Sequence, residues 1–252
     1  MADLPLALRL ALWGTRWLHG QATVEEVVER THAGLVTDAT GDVETVLADW
    51  AEAGETAVFL AIPRPGAPAG MPPAHPDALG AATAAGQAAY APTVGGLLVP
   101  AVVGFGSDGD RGLLASWAAY PAQPVPRHVA EATDLRDLSR RLAEAVQETT
   151  ERLAAAGGIP WRGWEATTEP RRHVPGLPDR LAPRAVHLLD RADTVAGLAV
   201  AGLEVESDGA ALDASTSLVR ATALRRLLAE AQDVLVGATN VLAMEIAGWR
   251  PA

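Results

Sequence analysis

The sequence predicts an α+β fold: a small sheet of about three strands (56–62, 94–105 and 112–120) surrounded by helices, followed by a long C-terminal antiparallel helical hairpin. Three observations lead there. The apolar runs "TAVFLAI", "VGGLLVPAVVGF" and "GLLASWAAY" are short and bounded by Gly or Pro, as strands are. Elsewhere apolar residues recur at three- and four-residue spacing, which places them on one face of a helix. Near the C-terminus, Ala221, Leu224, Leu228, Ala231, Leu235, Ala238 and Leu242 hold that alternation as a coiled-coil-like seam.

Taken in order, residues 4–18 read as a buried amphipathic helix with Leu4, Leu8, Ala11 and Leu12 on one side. Thr23 followed by Glu26 is a capping box that opens a second helix to about His32. Asp42 is expected to cap a third, carrying Val46, Leu47 and Trp50 and stopping at Gly54. Strand 56–62 ends at Pro63, and a Pro/Gly-rich loop leads to a small-residue helix from about Asp77 to Tyr90. Pro100 argues against a central place in the sheet for strand 94–105, because proline has no N–H to give the ladder. Residues 112–120 fit a strand or a short helix; the bounding Gly112 and Pro121 favour the strand. Asp134 opens a long helix to about Ala156, with Leu135, Leu138, Leu142, Val146 and Leu153 at helical spacing.

Helices over 183–205 and 215–248, joined by an acidic turn, complete the hairpin. The second is roughly 50 Å long at about 1.5 Å per residue, more than a small sheet domain covers. A partner is therefore expected for it, either a second copy in a homodimer or another protein. By composition the chain divides into an α+β domain (1–157), a Pro/Gly/Arg/Trp-rich linker (158–182) and the helical hairpin (183–252), the last either separate or one compact unit with the first.

Composition excludes more than it proposes. The formal charge of −11 opposes nucleic-acid phosphates and anionic membrane surfaces alike. The chain has no cysteine, which removes thiol nucleophiles, disulfides and CxxC zinc sites. It has no lysine either, so Schiff bases, pyridoxal-phosphate anchors and the Walker lysine are excluded. Richness in Ala, Arg, Gly and Pro is that of a GC-rich genome such as an actinobacterium's. In "LPLALRLALW" Arg9 interrupts the apolar run, and no uninterrupted stretch of about 18 apolar residues follows anywhere, so the expected location is the cytoplasm.

The stretch "GFGSDGDRG" (104–112) matches the G-x-G-x-x-G phosphate fingerprint in its first six residues. A dinucleotide site needs a helix immediately after it, and Asp108 and Asp110 would repel the phosphates. The same two carboxylates could hold Mg²⁺ together with a substrate phosphate. The reading preferred is a hairpin turn, for which Gly, Ser and Asp supply the backbone angles. Ser107 lacks the preceding glycine of a nucleophile elbow. The histidines at 19, 32, 75, 128, 173 and 187 show no metal-ligand spacing.

Residues 157–184 gather Arg162, Arg171, Arg172, Arg180 and Arg184 against Glu165, Glu169 and Asp179, with Trp161 and Trp164 among them. Arginine forks beside aromatic faces suit capture of an anion or a protein surface. The binding candidates are Trp161, Arg162, Trp164, Arg171 and Arg172; their plainer role is to pair with the chain's own acids. Glu245 continues the apolar seam and is expected at a frayed end facing water. The function expected is a cytoplasmic, non-catalytic protein-binding or scaffolding protein that self-associates through its C-terminal helices and needs no cofactor. The alternative is a Mg-dependent enzyme on a phosphorylated or carboxylated small molecule, with the metal on Asp108 and Asp110.

Overall fold

The computed structural model describes residues 4–32, 36–37, 40–67, 70–105, 112–156, 176–207 and 214–250. Among these the elements are α1 (Leu6–Leu18), α2 (Val24–Thr31), β1 (Val36–Thr37), α3 (Thr40–Glu52), β2 (Phe59–Ala61), α4 (Pro76–Ala85), β3 (Ala88–Tyr90), β4 (Leu97–Phe105), β5 (Gly112–Tyr120), α5 (Arg127–Glu131), α6 (Leu135–Ala156), α7 (Pro183–Ser207) and α8 (Ala214–Ile246). The fold is mixed helix and sheet with a long C-terminal helix. Two compact units share it: a sheet unit of residues 4–133, 176–185 and 239–250, and a helical unit of residues 134–156 and 186–238, within the described residues.

The sheet runs in the order β1-β5-β4-β3-β2. Strands β2 to β5 are antiparallel, and the two-residue β1 lies parallel to β5. The antiparallel sheet therefore has one strand more than expected. The addition is β3, read from the sequence as the tail of a helix reaching Tyr90. Gly86, at φ +66°, stops α4 in a left-handed cap. The alanines that follow are buried between β2 and β4, where ladder pairing outweighs their helical preference. Pro100 is tolerated because β3 accompanies β4 only at Leu97 and Leu98. Asp42 proves to lie inside α3, which begins at Thr40.

One face of the sheet is covered by helices. α1 packs on β2 and β3, and α3 on β5. Gly14 makes this approach possible, since a Cβ there would lie 3.3 Å from a Val58 methyl and 3.5 Å from Leu47. The Thr15 hydroxyl accepts the Val58 N–H at 2.9 Å, which ties α1 to the chain entering β2. The capping box at Thr23 and Glu26 forms as the sequence requires, with bonds of 2.9 and 3.3 Å. Because residues alternate between faces, Phe59 and Tyr90 point opposite to Val58 and Leu60. There they meet each other edge to face at 5.7 Å, and Trp249 meets Phe59 at 5.6 Å.

In the helical unit the Asp134 carboxylate caps α6 by accepting the N–H groups of Arg136 and Asp137. The buried stripe of α6 runs through Leu138, Leu142 and Thr149, leaving Val146 at the surface. On α8 the seam residues Leu224, Ala231, Leu235 and Ala238 are buried, as are Leu227 and Val234. This face is wider than a two-helix seam. Gly202 of α7 faces Leu224 so closely that a Cβ there would stand 3.0 Å from its methyl. By length and composition α8 could cross a membrane, but 56% of its most apolar window is buried inside the protein, as in a core helix.

Candidate interaction surface

The sequence-derived binding residues Trp161, Arg162, Trp164, Arg171 and Arg172 lie outside the described residues, as do the metal candidates Asp108 and Asp110. What flanks Asp108 and Asp110 in sequence is described. Gly112 opens a strand paired with Phe105, where a dinucleotide site would require a helix. Among the described residues no group of three or more His, Asp or Glu could hold a metal ion. Glu245 departs from the expected water-facing end: it is half-buried, and its Oε2 is enclosed without a hydrogen bond. Burial pushes its pKa up, with the Arg250 guanidinium pulling the other way.

Two buried ionisable side chains in the sheet unit are committed to structure. Glu55, 4% exposed, follows Gly54 at the end of α3. One of its oxygens accepts the N–H groups of Thr56 and Ala57 at 2.9 and 3.2 Å. The other accepts those of Thr93 and Val94 at 2.7 and 3.1 Å. The carboxylate thus staples the entry to β2 onto the turn between β3 and β4. His32, at the end of α2, is 3% exposed. Its Nε2 accepts the Trp117 indole N–H at 2.8 Å, and Nδ1 lies 2.9 Å from the Val28 carbonyl. An indole can only donate, so the imidazole is neutral with its proton on Nδ1. Burial lowers its pKa, the Val28 bond opposing. Neither role was legible beforehand, because Glu55 depends on the amides of Thr93 and Val94 and His32 on the indole of Trp117, all brought from a distant part of the chain.

In the helical unit a groove of about 150 Å³ runs between α6 and α8. Arg141 pairs there with Glu230 at 2.6 Å, and one oxygen of Glu148 receives both Arg152 at 2.7 Å and Arg226 at 2.9 Å. Three cations meet three acids, counting Glu144, and each arginine already holds a carboxylate. This is a cross-helix ion-pair seam, of modest stabilising value at such exposure.

The base of the β4 and β5 ribbon is built into the core, with Leu97, Leu98, Val99, Ala115 and Trp117 buried, and its outer part from Ala101 is not. The two strands pair throughout, from Leu97 with Tyr120 to Phe105 with Gly112. Beyond Leu98, β4 has no strand on its outer side among the described residues. Ala101 to Gly104 are exposed, Val102 by 48% and Val103 by 56%. Successive side chains point to opposite faces, so each face of the ribbon presents a valine. No charged residue stands between Asp77 and Asp108, or between Arg111 and Arg127. The first turns of α8 expose a second apolar pair, Leu218 and Val219.

No curated protein and no solved structure matches the chain. Two family descriptions do: "Rv1486c-like protein, N-terminal domain" over residues 7–132, and "Rv1486c-like protein, C-terminal domain" over residues 136–236. Their junction falls at the start of α6, where the sheet and helical units also part. With both domains matched in order along one polypeptide, the chain belongs to the Rv1486c-like protein family.

Proposed function

We propose that this chain is a non-catalytic protein-binding protein that self-associates and works in the cytoplasm. The observation that carries the reading is the pair of adjacent exposed valines, Val102 and Val103, on a strand whose outer edge has no partner strand among the described residues. Natural sheets protect such edges with charge, bulges or a covering element, and this strand carries no charge. Exposed Leu218 and Val219 on α8 add apolar surface of the kind that partners cover. The buried acid and imidazole in the sheet unit serve packing, which suits a scaffold. The burial of α8 suits a core helix rather than a membrane span.

Light scattering coupled to size exclusion, over a wide range of loading concentrations, tests the reading. A mass rising from 26.1 kDa toward twice that value is expected. A strict monomer at every concentration, with pull-downs recovering no protein, overturns it.

A further inference from the structure

We propose that two copies of the chain join edge to edge through β4, antiparallel about a two-fold axis at Val103, making one sheet continuous across both. This rests on the self-association reading and names its interface.

Three features of the ribbon point to a second copy. The first is the backbone. An edge strand presents a row of unpaired N–H and C=O groups, and another strand satisfies them best. The pairing of β3 with β4 ends at Leu98 and Pro100 has no N–H, so the pairing segment begins at Ala101 and extends toward Phe105. The second is self-complementarity. A two-fold contact requires a patch that matches itself, and an antiparallel pair centred on Val103, the middle of the segment from Ala101 to Phe105, sets that valine against its own copy on one face and Val102 against Gly104 on the other. Cross-strand pairs of branched apolar residues are favourable ones. The third is charge. Each copy carries −11 and repels another at most of its surface. The ribbon strands carry no charged residue, so like copies approach there with the least opposition. A strongly basic partner would gain nothing from this edge, whereas a second copy loses least by choosing it.

The lack of native cysteine makes the test direct. Single variants Val102→Cys and Val103→Cys are each oxidised with diamide and compared with Val129→Cys, which is 53% exposed on α5. Facing Cβ atoms of an antiparallel pair lie about 4.5–5.5 Å apart, close to what a disulfide spans. The expected result is a covalent dimer from Val103→Cys, whose two copies face each other, formed at least tenfold faster than from Val102→Cys or Val129→Cys. In parallel, Val103→Lys is expected to raise the dimer dissociation constant at least tenfold, with an unchanged circular dichroism spectrum. Dimers in light scattering that neither cross-link through β4 nor respond to Val103→Lys overturn the β4 interface and leave self-association standing. A wild-type chain that is monomeric throughout overturns both. Capture of an unrelated protein's strand by β4, with no dimer, also overturns the proposal.

Discussion

The side chain of Asn240 pairs with both backbone groups of Leu60, accepting its N–H at 2.7 Å and donating to its C=O at 3.1 Å. β2 is the last strand of the sheet, and these two groups of its middle residue turn away from β3. An asparagine amide has the same donor and acceptor as a peptide unit, so Asn240 of α8 completes the ladder where no strand follows. One sheet edge is therefore closed from within the chain, while β4 beyond Leu98 has no strand on its outer side among the described residues.

Replacing Asn240 by Ala should leave the Leu60 N–H and C=O without partners. The expected loss is about 2–4 kcal/mol, from two hydrogen bonds and the partial desolvation of both groups. Asn240→Asp should do no better, since it sets a carboxylate oxygen against the Leu60 carbonyl. Urea unfolding followed by circular dichroism reads both; an unchanged midpoint for Asn240→Ala would mean that water replaces the clip at no cost.

The Glu55 staple predicts a local as well as a global effect. Glu55→Gln turns one acceptor oxygen into a donor facing two N–H groups, and should cost about 3 kcal/mol or more. Hydrogen exchange should quicken at the amides of Thr93 and Val94, which lose protection even where the sheet persists. Unaltered exchange at these two residues would refute the staple.

His32 ties stability to pH. Its folded-state pKa is lowered from 6.5, chiefly by burial. The unfolded chain then takes up the proton first, so this contribution is complete above about pH 6.5 and is lost as the pH falls below it. Protonating Nε2 would also break the bond from Trp117. Stability measured by urea unfolding from pH 7.5 to pH 5 should fall more steeply in the wild type than in His32→Gln. Equal slopes would contradict this.

Glu245 carries the opposite sign. Its pKa is raised, first by burial and against the pull of Arg250, so its ionised form destabilises the fold above its ordinary range near 4.5. Glu245→Gln is expected to raise the melting temperature at pH 7, and the gain should vanish as the pH approaches 4. A melting temperature lowered by the substitution at pH 7 would show that the carboxylate has a needed partner.

Local chemistry was legible wherever it acts within a few residues. The capping box at Thr23 and Glu26, the Asp134 cap, the strand opened by Gly112 and the long helices all follow from propensity, spacing and turn residues. The α+β class was therefore written in the sequence. Tertiary structure decided what depends on distant backbone. β3 is a strand because β2 and β4 flank it, although its alanines alone favour helix. Glu55, His32 and Asn240 gain their roles from carbonyls, amides and an indole far along the chain, which no local window contains. Pro100 marks where the β4 edge opens only once the reach of β3 is known. The physical reason is common to these cases: a buried polar group is specified by the partner that satisfies it, and folding alone supplies that partner.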